Sequence, residues 1–217
     1  IDLGFAHADL GGGEPVGFVD VPGHERFVRN MAAGVAAIDL ALLVVAADDG
    51  PMPQTLEHLR ILEWLGVPRC VVAITKIDRV APPRVAEVDA EVDALLRDGP
   101  YAGAARYPIA APAGIGLERL RAGLRAAGAI EATRPVDGHF RLAVDRSFAI
   151  AGAGLVITGA VVAGSVRVGD ALLASPHGAP LRVRGLEVHH APATEARAGM
   201  RCALNLGGSE SKRIALA

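Results

Sequence analysis

Val16-Gly17-Phe18-Val19-Asp20-Val21-Pro22-Gly23-His24-Glu25 is the stretch whose reading decides the fold. A short apolar run of β type ends on a carboxylate, turns at Pro-Gly and leads into an amphipathic segment, Arg26–Val35, that predicts a helix. Strand, sharp turn, helix: this places Asp20, Gly23 and His24 at the carboxyl end of a strand, where open α/β sheets bind ligands. Each residue type suits nucleotide chemistry. Asp20 can hold Mg²⁺, through water, because Mg²⁺ prefers oxygen ligands and sheds its own waters reluctantly. Gly23 lacks Cβ, so its amide can approach a phosphate and move when the phosphate leaves. His24 can orient a water for in-line attack. Taken alone, the same stretch also suits an ordinary strand–turn–helix joint with an exposed histidine.

Downstream stands Thr75-Lys76-Ile77-Asp78, at the end of the apolar run Arg69–Ile74. It resembles the guanine-recognition motif of GTP-binding proteins, usually Asn-Lys-x-Asp. A carboxylate at Asp78 can accept two N–H bonds from guanine, a donor pair that adenine does not offer, and unpaired buried polar groups are heavily penalised. The Lys76 stem can lie along the flat base. The alternative is a strand-end loop whose Lys–Asp pair is a surface ion pair. Asp-x-x-Gly followed 52 residues after Gly23 by Thr-Lys-x-Asp is far more specific than either motif alone.

Around these motifs the pattern is that of α/β architecture. Ile1–Ala8 reads as a strand, Asp9–Pro15 as a hairpin tip, and Leu40–Ala46 as a strand buried on both faces. Helices are expected from Leu56 to Leu65, from Pro82-Pro83 to about Arg97, and over Gly116–Ala127, with a short strand over Tyr107–Ala111. Alternation implies a mostly parallel sheet with helices on both faces. Past Glu131–Gly138 the helical period disappears. Short β-like runs follow, at Phe140–Val144, Leu155–Val162, Ala171–Ala174, Leu181–His189 and Cys202–Leu206, and predict a small antiparallel β-barrel. Gly152-Ala153-Gly154 reads as a hairpin because no helix follows it.

Composition narrows the class further. The chain is 51% hydrophobic and 21% charged with a net charge of −2, as expected of a soluble globular protein. Residues 139–217 hold nine Lys/Arg against five Asp/Glu, leaving 13 against 19 for residues 1–138, so the second half is mildly basic. Cys70 and Cys202 lie in separate apolar runs and are expected as free buried thiols in a reducing cytosol. No apolar stretch reaches 18 residues, so no membrane partner is expected.

Asp20–Glu25, Asp49-Gly50-Pro51-Met52-Pro53-Gln54-Thr55-Leu56-Glu57-His58 and the Gly154-Leu155-Val156-Ile157-Thr158-Gly159 run together resemble the translation elongation factors that carry aminoacyl-tRNA. Within that family, Ile1–Phe5, Thr75 in place of Asn, and Phe140–Phe148 most resemble the selenocysteine-specific factors. The resemblance implies a GTPase domain over 1–130, a linker over 131–138 and a second-domain barrel over 139–217. It assigns Asp20 to Mg²⁺, Gly23 to the γ-phosphate and His24 to the hydrolytic water of bound GTP, with GDP as product. Thr75, Lys76 and Asp78 would take the guanine, beside the amides of Ala110 and Ala111, although Ile109 stands where the family has Ser or Thr. Arg146 and Arg201, oriented by Asp145, would hold a selenolate and reject a serine hydroxyl; the alternative is surface arginines paired with Asp145. The implied partners of this monomeric, cytoplasmic factor are selenocysteinyl-tRNA, the ribosome and a messenger-RNA element bound through later domains. No Gly-x-x-x-x-Gly-Lys-Ser/Thr occurs in the chain. The expectation is therefore an N-terminally truncated fragment of a phosphate-loop GTPase that hydrolyses nothing by itself. The alternatives are another translational GTPase, such as an elongation factor Tu-like or initiation factor, or a nonenzymatic module that binds tRNA or protein and has lost GTPase activity.

Overall fold

A computed structural model describes residues 3–11, 15–24, 26, 31, 38–129, 135–150, 154–176 and 178–208. Apart from Arg26 and Met31, the helix expected over Arg26–Val35 lies outside the described residues, as do 131–134 of the expected linker and the hairpin tip at Gly152-Ala153. The chain divides into two compact units, Ile1–Glu131 and Ala132–Ala217.

In the first unit, β1 (Gly4–Ala8) and β2 (Val16–Asp20) form an antiparallel hairpin, with Gly4 opposite Asp20. Three further strands, β3 (Ala41–Ala46), β4 (Cys70–Thr75) and β5 (Arg106–Pro108), make a parallel sheet in that order. The expectation of one mostly parallel sheet is thus corrected: among the described residues the hairpin is not hydrogen-bonded to the parallel strands. It is attached by side chains instead. Val16 and Phe18 pack against the cluster that holds Val71, Ala73, Leu120 and Leu124, while Val21 packs against the cluster that holds Val72 and Ile74.

Strand β4 shows why a continuous apolar run is required at the centre. Cys70, Val72 and Ile74 face one cluster, with Leu59 and Leu62 of α1 (Pro53–Trp64) and Val88, Val92 and Leu96 of α2 (Pro82–Leu96). Val71 and Ala73 face the other, with Leu120 and Leu124 of α3 (Leu117–Ala129). Helices therefore cover both faces, as the sequence predicts. Val72 and Ile74 are fully buried, and each such side chain contributes roughly 1.5–3 kcal/mol relative to an exposed one. Prolines open α1 and α2 at positions whose amides have no helical partner, and Gly66, at φ 69°, follows the end of α1. The strand expected over Tyr107–Ala111 is shorter and earlier: it ends at Pro108, and Ala111–Ala113 turn into a 3-10 helix.

The second unit is antiparallel. A six-stranded sheet runs β11 (Ala191–Pro192), β10 (Ala179–Val188), β13 (Arg201–Gly207), β7 (Gly154–Ala163), β6 (Arg141–Ile150), with β9 (Ala171–Ala174) also on β10. A separate ladder pairs β8 (Ser165–Arg167) with β12 (Glu195–Arg197). The barrel expectation is met in part. Among the described residues the sheet does not close on itself, but β8 and β12 bring Val166 and Ala196 onto the same core as Val161, Val183, Leu204 and Leu206. Cys70 and Cys202 are free and buried, and burial pushes their thiols up to about 11 and about 12.

One register break in the large sheet shapes the site. Val144 is opposite Gly159 and Arg146 opposite Thr158, so Asp145 is an extra residue in β6. The bulge lets the consecutive residues Asp145 and Arg146 both lie on the face away from the core, where period-2 alternation would separate them. Close approach of the strands there demands Gly159, since a Cβ would lie 2.2 Å from the Ala143 carbonyl oxygen.

Candidate functional site

In the first unit the candidate residues sit at the carboxyl ends of β2, β4 and β5. Asp20 is the last residue of β2 and is exposed. Gly23 is also exposed, and a Cβ on it would come 3.8 Å from His58 Cε1, which puts His58 of α1 beside this turn. His24 Nδ1 accepts the amide N–H of Arg26 at 3.3 Å. An accepting Nδ1 leaves the proton of a neutral ring on Nε2, so the ring presents a donor there and not a base.

The guanine-motif residues follow at the end of β4. Thr75 closes the strand, with Oγ1 3.5 Å from the Val45 carbonyl. Lys76 is left-handed, at φ 57°, and Asp78 lies in the 3-10 turn Ile77–Arg79. Lys76 Nζ is 3.0 Å from both carboxylate oxygens of Asp48 and 3.6 Å from Asp49 Oδ2. The hydrogen bond from Lys76 holds the Asp48 carboxyl below its ordinary range, and Asp48 in turn raises the Lys76 ammonium. The loop carrying these acids is braced from α2. Arg84 Nη2 lies 3.5 Å from the Asp49 carbonyl, and Gly50 sits at φ 76°, in the left-handed region that favours glycine. The Ala110 amide donates to the Ile115 carbonyl at 3.0 Å, in a two-residue bridge. Ala111, next to it, is exposed.

The second unit brings Asp145, Thr158 and Arg201 into one closed ring. Arg201 Nε donates to Asp145 Oδ2 at 2.9 Å, and Nη2 donates to Asp145 Oδ1 at 2.9 Å and to Thr158 Oγ1 at 3.0 Å. Thr158 Oγ1 donates to Asp145 Oδ1 at 2.5 Å. The Asp145 side chain is only 9% exposed and that of Arg201 28%, so this is a shielded, two-point ion pair and not a solvated surface contact. Arg146 shares the face, opposite Thr158.

Against this geometry, comparison with known proteins is decisive. The Elongation factor Tu GTP binding domain family matches residues 11–171, and Elongation factor Tu domain 2 matches residues 154–215. The chain belongs to the elongation factor Tu GTP-binding family. Within it, this chain is 47% identical over 212 residues to the selenocysteine-specific elongation factor of Escherichia coli K12, covering 98% of the chain and 34% of that relative. It is 45% identical to the selenocysteine-specific elongation factor of Desulfomicrobium baculatum, covering 97% and 33%. Among solved structures it is similar to translation elongation factor SelB from Methanococcus maripaludis in complex with the GTP analogue GppNHp, at TM-score 0.91 and 32% identity, covering 99% of the chain and 47% of that one. The chain thus spans about a third of the length of these curated relatives.

Three residues given no individual role in the sequence analysis stand beside the candidates: Thr158 on Asp145 and Arg201, Asp48 on Lys76, and His58 near Gly23. Thr158 and His58 lie within the quoted Gly154–Gly159 and Asp49–His58 motifs, whereas Asp48 stands just outside the latter.

Proposed function

We propose that the chain is a segment of a GTP-dependent translation elongation factor that delivers selenocysteinyl-tRNA to the ribosome. The observation that carries the selenocysteine reading is the Arg201 guanidinium, gripped at two points by a shielded Asp145 on the outward face of the β unit. A selenol is more acidic than a thiol and is anionic at neutral pH. A positioned cation with Arg146 on the same face favours it over a hydroxyl, each charge-assisted hydrogen bond supplying about 1.5–3 kcal/mol. Residues 1–130 serve as the GTPase domain, 131–138 as linker and 139–217 as the second domain.

In the first unit Thr75, Lys76, Asp78 and the Ala111 amide take the guanine, and Gly23 meets the γ-phosphate. Among the described residues no three His, Cys, Asp or Glu side chains converge on a metal. Asp20, an exposed carboxylate at a strand end, would hold Mg²⁺ as one oxygen donor acting through water. When bound, the ion neutralises phosphate charge. His24 orients the attacking water through Nε2, in keeping with its accepting Nδ1. Residues 1–217 hold no Gly-x-x-x-x-Gly-Lys-Ser/Thr to cradle the β- and γ-phosphates. Residues 1–217 alone then bind guanine nucleotide poorly; tight, Mg²⁺-dependent binding of a fluorescent GTP analogue would contradict this.

The test of the main reading compares selenocysteinyl-tRNA and the same tRNA carrying serine on the full-length factor in its GTP state. The tRNA body cancels from that ratio. Arg201→Asn is expected to weaken the selenocysteinyl form by about 30-fold, from about 2 kcal/mol, and the seryl form hardly at all. Equal weakening of both makes Arg201 a structural contact and removes the selenolate pocket.

A further inference from the structure

We propose that Thr158 is a positioning residue of this pocket, fixing the Arg201 guanidinium against Asp145 so that it presents a set cationic edge to the aminoacyl side chain. This rests on the pocket reading above. The argument is one of hydrogen-bond direction. An ionised carboxylate only accepts, so the Thr158 hydroxyl proton must point at Asp145 Oδ1, 2.5 Å away. Its lone pairs then face Arg201 Nη2 at 3.0 Å, and the same Nη2 reaches Asp145 Oδ1 at 2.9 Å. Nε completes the grip on Oδ2 at 2.9 Å. Three of the five guanidinium N–H donors are thereby assigned to fixed acceptors on two different strands, and the plane of the group is set by three points instead of two.

Strand geometry makes Thr158 the residue that can do this. It lies in the middle of β7, with β6 on one side, where it faces Arg146, and β13 on the other, where it faces Ala203. Arg201, two residues along β13 from Ala203, reaches diagonally across to it, and the β6 bulge brings Asp145 to the same point. A β-branched side chain in a strand has little χ1 freedom, so Oγ1 is held at this junction by the backbone itself.

The experiment measures the ratio of seryl-tRNA to selenocysteinyl-tRNA dissociation constants for the full-length factor bearing Thr158→Val, Thr158→Ser, Arg201→Asn and the Thr158→Val/Arg201→Asn pair. Valine keeps shape and strand preference while deleting both hydrogen bonds; if it is not tolerated, Thr158→Ala deletes the same oxygen without added bulk. The ratio is expected to fall about fivefold in Thr158→Val, to recover most of the way in Thr158→Ser, and to show no further change when Thr158→Val is added to Arg201→Asn. Equal weakening of both tRNAs, or an undiminished effect in the Arg201→Asn background, overturns the inference. A ratio lowered by Arg201→Asn but not by Thr158→Val overturns the inference alone. A ratio that Arg201→Asn leaves unchanged overturns the pocket reading, and the inference with it.

Discussion

The two sites differ in how much of their geometry the protein makes for itself. On the β unit, Asp145, Thr158 and Arg201 are bound to one another by four hydrogen bonds. On the rim of the α/β unit, Asp20, Gly23 and His24 are exposed and follow a strand that is not hydrogen-bonded to the parallel sheet among the described residues. A pocket that must tell a selenolate from a hydroxyl gains from a rigid cation, because discrimination is lost if the guanidinium can follow either ligand. A site that must respond to the presence of a phosphate has the opposite need. Its residues must be free to move when the phosphate leaves, so a closed ring there would work against the switch.

The comparison breaks most easily at the backbone that makes the ring. Gly159→Ala would drive a Cβ to within 2.2 Å of the Ala143 carbonyl and 3.0 Å of the Val144 Cα, both backbone atoms. We expect a loss of about 3 kcal/mol, read as a lower urea midpoint and faster amide exchange across β6, β7 and β13. Gly17→Ala on the rim strand meets nothing within 4 Å and is expected to be neutral or about 0.5 kcal/mol stabilising. Similar costs at both glycines would mean that the bulge is not what sets the ring.

On the rim, the corresponding test leaves stability alone. His24→Ala in the full-length factor is expected to slow GTP hydrolysis on ribosomes by about 10²-fold while nucleotide affinity and melting temperature stay within error. A histidine that acted structurally would move the melting temperature, and one with no role would leave single-turnover hydrolysis unchanged.

How far these sites were readable from sequence follows the same division. The buried parallel strands were plain because a strand covered on both faces must be apolar throughout, as Cys70–Ile74 is. The rim motifs were plain because they are contiguous. Strands β8, β11 and β12, of two or three residues, carry too little periodicity to be seen. The bulge at Asp145 is invisible without knowing that Thr158 lies opposite Arg146, since a register slip exists only between two strands. For that reason Arg201 and Asp145 could be named from resemblance, whereas Thr158 looked like any strand-forming residue. The bridge between Ala110 and Ile115 was not legible because it is a backbone pairing that no side chain announces.

A smaller effect than either site's disruption comes from the ring's charge. Asp145→Asn keeps the shape but removes the negative charge facing a guanidinium that is 28% exposed. With solvent partly screening the orphaned cation, a cost of about 2 kcal/mol is expected, well short of a fully buried pair. Adding Arg201→Asn to Asp145→Asn should restore part of it, because no unpaired charge then remains. Additive losses would show that the two residues are not coupled, and the ring would be a coincidence of packing.

The finest test lies at Lys76, where the rim does hold one preformed contact. Hydrogen bonding from Lys76 is the main cause that lowers Asp48 from its ordinary value of 3.8, and the same bond raises Lys76 from 10.5. The signs fix the pH windows. A depressed carboxyl contributes stability that is present above its unfolded value and is lost as pH falls through the folded one, so the Asp48 contribution fades in acid, below about pH 4. A raised ammonium contributes stability that is present below its unfolded value and is lost as pH rises through the folded one, so the same pair also fades in strong base, above about pH 10. Both side chains are more than 30% exposed, 38% for Lys76 and 31% for Asp48, so the change in stability should be slight while the titration shift remains visible. In residues 1–217, NMR titration of the Asp48 side-chain carbon should give a midpoint below 3.8, returning toward it in Lys76→Met. Asp49→Asn should move Lys76 less than Asp48→Asn does, because Asp49 stands off at 3.6 Å and acts on Lys76 only through space. If Lys76→Met leaves the Asp48 midpoint where it was, the contact is not held in solution. The rim would then be as open as its exposed residues imply, with Lys76 ordered only when the guanine arrives.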